Sequence, residues 1–232
     1  MIKIRKAAER GHFDFGWLDT SHTFSFGEYH DPEHMGFRAL RVINDDLIAP
    51  AEGFGTHGHR DMEILSWIAE GALEHKDSLG TGSVIKPGDL QRMSAGSGVR
   101  HSEFNPSPKE RTRLLQIWLT PKQSGLKPEY EQKHFPSEGR TNRLQLIAAH
   151  DGREGALTVN QDAELWTARL DAGKSVAHTF KAGRHGWLQI VSGEVEAAGK
   201  TLAQGDGLAL SDEASLEVRA KSAAEILLFD LA

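Results

Sequence analysis

Residues 53–71 read GFGTHGHRDMEILSWIAEG, and residues 96–105 read GSGVRHSEFN. Each stretch holds two alternate metal-binding side chains: His57-Gly58-His59 in the first, His101-Ser102-Glu103 in the second. Alternate residues of a β-strand point to the same face, with Cα atoms roughly 6.5 Å apart, so each pair aims two side chains at one place. Neutral imidazole nitrogens with a carboxylate oxygen suit a first-row transition metal, at metal–nitrogen distances of about 2.0–2.2 Å. Three histidines and one glutamate leave positions on a five- or six-coordinate ion for water, substrate or dioxygen. The chain carries 12 histidines, and a single H-x-H pair is a chance-prone match. A second pair on another strand-like run, after a turn-rich interval, makes the signal stronger. Strand alternation also gives Glu63 the parity of His57 and His59, so Glu63 and Glu103 compete for the fourth ligand position.

Composition narrows the classes. At 232 residues the chain fits one large domain or two small ones. Apolar residues make up 38% and charged residues 26%, as in an ordinary globular protein. The net charge of −6, without a basic run interleaved with aromatics, argues against nucleic-acid binding. With no cysteine, disulfides, thiol nucleophiles and Cys-based zinc sites are excluded, and a buried metal must use His and carboxylate ligands. MIKIRKAAERGHFDF shows no signal-peptide h-region, and no apolar run nears the ~18 residues of a membrane span. The expectation is a soluble, cytoplasmic protein.

Outward from the first motif, short strand-like runs recur between Gly-, Asp- and Pro-rich turns. They include Thr23–Phe26, Arg38–Asn44, Asp61–Ala69, Leu90–Ala95, Val99–Phe104 and Leu114–Leu119. Helical periodicity is scarce. PKQSGLKPEYEQKHFPSEGR, residues 121–140, reads as a linker rich in Pro, Gly and charge. The domains expected are residues 1–125, holding the metal motifs, and residues 126–232, lacking them. IAEGALEH followed by KPGDL has a counterpart in IVSGEVEA followed by AQGDGL, which points to duplication of one β-unit. Ala223–Leu231 reads as a final strand or a short helix. His22, His30 and His34 are too unevenly spaced to share a strand or helix face.

GTHGHRDMEILSWIAEG resembles the first motif of cupin barrels, and GVRHSEFN resembles the end of the second. SHTFSFGEYHDPEHMGFRALRVINDD, HGHRDMEILSWI and MSAGSGVRHSEFN together resemble the pirin family, over residues 2 to 230. That resemblance implies an all-β bicupin, two antiparallel jelly-roll barrels packed side by side, with one metal in the N-terminal barrel. It implies His57, His59, His101 and Glu103 as ligands, with Glu63 orienting a ligand histidine or metal-bound water. The metal implied is iron(II), with nickel, manganese, copper or zinc compatible with the same ligands. Gly53 stands nearer the first histidine than the glycine of typical cupins.

The resemblance further implies a quercetin 2,3-dioxygenase-like activity, in which O2 opens the central ring of a flavonol and CO leaves. Glu103 is then the catalytic base, the partners are a flat aromatic substrate and O2, and a monomer suffices. Phe54 and Trp118 are candidate walls for the substrate. The alternative is a non-catalytic, metal-dependent redox sensor, as eukaryotic pirins resemble transcription cofactors.

Overall fold

Burial separates two kinds of strand: Val99–Phe104 and Ser215–Ala220 bury every second side chain, whereas Glu63–Glu70, Asp89–Ser94 and Thr112–Leu119 bury nearly all of theirs, as strands covered on both faces do. The computed structural model describes residues 1–232. Twenty-two strands form two seven-stranded and two four-stranded sheets, and the one α-helix is the single turn Ser137–Arg140. Each half of the chain places a seven-stranded sheet opposite a four-stranded one. The pairs are jelly-roll-like sandwiches rather than closed barrels. No helix is long and apolar enough to cross a membrane.

The two seven-stranded sheets pack against each other through a 21-residue apolar cluster drawn from both halves. Leu65 and Trp67 of strand Glu63–Glu70 and Leu115, Ile117 and Leu119 of strand Thr112–Leu119 meet Leu165, Trp187, Leu227 and Phe229 there. Each such side chain contributes roughly 1.5–3 kcal/mol by leaving water. This shared layer joins the halves firmly.

The domain boundary differs from the sequence expectation of a break after residue 125. Strand Ile2–Arg5 pairs with Gly207–Ser211 of the C-terminal sheet, and strand Glu129–His134 pairs with Asp89–Ser94 of the N-terminal one. The presumed linker therefore contains an edge strand, whose exposed charges suit an edge. Thr23–Phe26 is not a strand either. The strand is Leu18–His22, after which the chain bends and Phe26 forms only an isolated bridge to Tyr29. Ala224–Leu231 is a strand.

The two sandwich interiors differ in chemistry. The C-terminal one is filled by a 17-residue apolar cluster. The N-terminal one has only two small apolar patches, of six and four residues. Between those patches runs a polar row in continuous register across six strands: His22, Asn44, Gln116, Ser66, Gln91 and Gln132. Buried polar groups are costly unless hydrogen-bonded, so this interior is built for something other than packing.

Candidate metal centre

Strands Gly53–His59, Val99–Phe104, Leu73–Asp77 and Gly82–Ile85 form the small N-terminal sheet that faces this polar row. Gly53 lies so close to Glu103 O and Phe104 Cα that a Cβ there would collide with the neighbouring backbone. His101 pairs with His57 but Glu103 pairs with Phe54, so one extra residue bulges from the first strand. Bulges of this kind re-aim side chains beside functional sites.

The ligand-capable nitrogens of His57, His59 and His101 lie within 4.8 Å of one another. The hydrogen bonds around them fix which nitrogen is bare. His57 Nδ1 is 2.8 Å from the carbonyl oxygen of Gly55, so it must donate, leaving Nε2 with a free lone pair. His75 Nε2 donates to Asp77 Oδ2 at 3.1 Å, so its bare Nδ1 accepts from His101 Nδ1 at 3.4 Å. His101 Nε2 is then bare as well. It faces His57 Nε2 at 3.1 Å, two lone pairs pointing at each other.

That opposition is relieved by a cation. Two nitrogens about 2.1 Å from one ion and cis to each other stand about 3.0 Å apart, which matches the observed separation. Burial and the neighbouring imidazoles push the His101 pKa down to about 2. Burial, then His57, pushes that of His59 down to about 4. Neutral imidazoles are the form a metal needs. The residues present therefore fit a transition-metal ion.

Glu103 is buried, with its Oε2 accepting from Gln116 Nε2 at 3.1 Å and its Oε1 buried without a partner. It forms a second convergent group with His75 and His101. His75 is already committed at both nitrogens, so of that group Glu103 brings the free oxygen. Burial pushes its pKa up to about 7. A cavity of about 410 Å³ opens beside Glu103, His57 and His59, walled by Trp17, Phe26, Phe54 and Trp118. The Trp118 ring stands edge-on to His59 and to Phe26, with centroids at 4.9 and 5.3 Å.

The Pirin family model matches residues 3–119, and the model of the quercetinase C-terminal cupin domain matches residues 146–231. The quercetin 2,3-dioxygenase of Escherichia coli (strain K12) is 49% identical over 232 residues, covering 100% of this chain and 99% of that one. The chain belongs to the pirin family. Among solved structures, YhhW from Escherichia coli aligns with a TM-score of 0.96 at 49% identity, covering 100% of this chain and 98% of the other. The bacterial pirin YhhW in complex with nickel(II) aligns at 0.95 with 49% identity, covering 100% and 99%.

In this pirin the expected residues do not all meet. His57, His59, His101 and Glu103 share the small sheet's inner face, and Phe54 and Trp118 line the cavity. Glu63 does not join them. A turn at Asp61, with φ 52°, breaks the parity with His59, so Glu63 starts the next strand on the face toward the C-terminal half. There its Oε2 accepts from Ser94 Oγ and Asn160 N, and its Oε1 from Asn160 Nδ2. Glu63 is a joint between the two halves. His22, His30 and His34 form no convergent group: His34 pairs with Asp31, and His22 packs between Phe13 and Phe26.

His75 and Asp77 were missed by the sequence reading, although His75-Lys76-Asp77 repeats the H-x-acid spacing of His101-Ser102-Glu103. Asp77 Oδ1 accepts from the amides of Leu79 and Thr81, both at 2.9 Å. In Asp77→Asn those amides hold the side-chain oxygen, so the NH2 group faces His75 and reverses the tautomers of His75 and His101. His101 would then present an N–H to the metal. Metal affinity is expected to fall about 10–100-fold with the fold unchanged, as read by competition with a chromogenic chelator. Unaltered affinity would show that this chain does not set the His101 tautomer.

Proposed function

We propose that this pirin is a metal-dependent dioxygenase of the quercetin 2,3-dioxygenase type, opening a flavonol with O2 and releasing CO. The carrying observation is the pair of bare nitrogens, His57 Nε2 and His101 Nε2, facing each other at 3.1 Å beside an aromatic-walled cavity. The ligand set proposed is His57, His59, His101 and Glu103, holding iron(II). When bound, the ion supplies Lewis acidity that lowers the pKa of a substrate hydroxyl.

The chain's own groups supply the rest. Trp17, Phe26, Phe54 and Trp118 offer flat apolar walls that hold a planar ring system and exclude water. Glu103 lines the cavity beside His57 and His59, where its carboxylate is placed to take the proton of the flavonol 3-hydroxyl. Gln116 orients it by donating to Oε2, and is itself oriented by Trp118 Nε1, which donates to Gln116 Oε1 at 3.4 Å. The relative named quercetin 2,3-dioxygenase and the nickel-bound bacterial pirin support this reading.

The test is turnover. Protein stripped of metal and reloaded with iron or nickel is mixed with quercetin in air. Loss of the flavonol absorbance with stoichiometric CO, absent from the stripped protein, is the expected result. Metal uptake without CO would favour the sensor reading instead.

A further inference from the structure

The cavity beside the histidines does not end at Phe26. A second hollow of about 270 Å³ abuts it and shares Phe26, Asn44, Asp46 and Phe54 with it. Its far walls are aromatic: Phe13, Phe15 and the His22 ring, with Phe13 5.4 Å and Phe26 5.3 Å from His22. Polar groups gather at the junction. Asp46 is buried and its Oδ1 accepts from Thr20 Oγ1, while no protein donor reaches its Oδ2. Asn44, equally buried, makes no side-chain hydrogen bond within the protein.

Pairing explains the placement. Thr20 stands opposite Asp46, His22 opposite Asn44, and Asn44 opposite Gln116. Asp46 and Asn44 therefore sit side by side on the sheet face that also carries Gln116, the partner of Glu103. Polar side chains that line a cavity without protein partners, beside an aromatic cage, are what a ligand hydroxyl satisfies.

We propose that this second chamber binds the distal ring of a flat polyphenol whose reacting end lies beside His57, His59 and Glu103, with Asp46 accepting a hydrogen bond from a hydroxyl on that ring. The assignment rests on the flavonol reading above and specifies its substrate class: flavonols hydroxylated on the ring remote from the metal centre. The phenyl walls of Phe13, Phe15 and Phe26 take the ring, and Asp46 and Asn44 take its hydroxyls. A neutral donor fits better than a cation, because burial pushes the Asp46 pKa up to about 7 and weakens its negative charge.

The experiment is an anaerobic titration of the iron-loaded protein, read by quenching of tryptophan fluorescence, since Trp17 and Trp118 line the first cavity. Quercetin, with two adjacent hydroxyls on its distal ring, is compared with galangin, which has none there. Wild type is expected to bind quercetin at least about tenfold more tightly, the worth of one hydrogen bond to a carboxyl group. Asp46→Leu is expected to bring the two affinities within about twofold. Phe15→Ala, at a position 58% exposed where folding is not at stake, is expected to weaken quercetin binding about threefold.

Equal affinities in wild type, a tenfold preference persisting in Asp46→Leu, or quercetin binding unmoved by Phe15→Ala would each overturn the chamber assignment. If wild type shows equal affinities yet still releases CO from quercetin in air, only the chamber assignment falls. If it binds neither flavonol, the flavonol reading falls with it.

Discussion

Replacing His101 with alanine is expected to leave the chain folded and unable to take up metal. His101 is where two networks join: its Nε2 faces His57, and its Nδ1 reaches His75 and, through it, Asp77. Removing it deletes one metal-facing nitrogen and releases the opposition of lone pairs at His57. It also strands His75 Nδ1, a loss of about 1–2 kcal/mol. For wild type, free metal at a hundred times its Kd adds about 2.7 kcal/mol to stability. In a chain of this length that raises Tm by about 5–10 °C. The variant is expected to show no such shift and no bound metal by elemental analysis. A full thermal shift with stoichiometric metal in His101→Ala would remove His101 from the centre, and the proposed ligand set with it.

The strand that carries His101 and Glu103 was legible because alternation is a local rule, whereas Gly53–His59, which begins in a stretch that reads as turn-rich, was not bounded. Val99–Phe104 was bounded correctly from sequence, and its burial alternates as expected, with Val99, His101 and Glu103 buried. The same rule failed for Glu63 because parity does not survive the turn at Asp61. It could have found His75 and Asp77, whose spacing is the same as that of His101 and Glu103. What no local rule yields is register between distant strands. Trp17, Phe26, Asn44 and Asp46 come to the cavity because Leu18–His22 and Leu40–Ile48 pair beside Thr112–Leu119. The exchange of strands between the halves was hidden for the same reason. Glu129–His134 has the charge of a linker and Ile2–Arg5 the charge of an exposed terminus, yet each closes the edge of a seven-stranded sheet.

The polar interior predicts a second large effect, this time of pH. In metal-free protein, Asp46→Asn is expected to gain stability relative to wild type as pH rises from 5 to 8.5. Burial, the first cause, and the nearby charge of Asp45 raise the Asp46 pKa from its ordinary 3.8 to about 7, against the lowering effect of the Thr20 hydroxyl. The folded state thus keeps a proton that the unfolded chain has lost. The stability this proton confers is fully present below pH 3.8 and disappears as pH rises through about 7. At ~1.36 kcal/mol per pKa unit, the difference between variant and wild type should widen by about 2–3 kcal/mol between pH 5 and 8.5. Asparagine keeps an oxygen for the Thr20 hydroxyl, so packing is nearly unchanged and the pH dependence isolates the charge. Urea denaturation at the two pH values measures it, and parallel stabilities would mean that Asp46 does not titrate in this range.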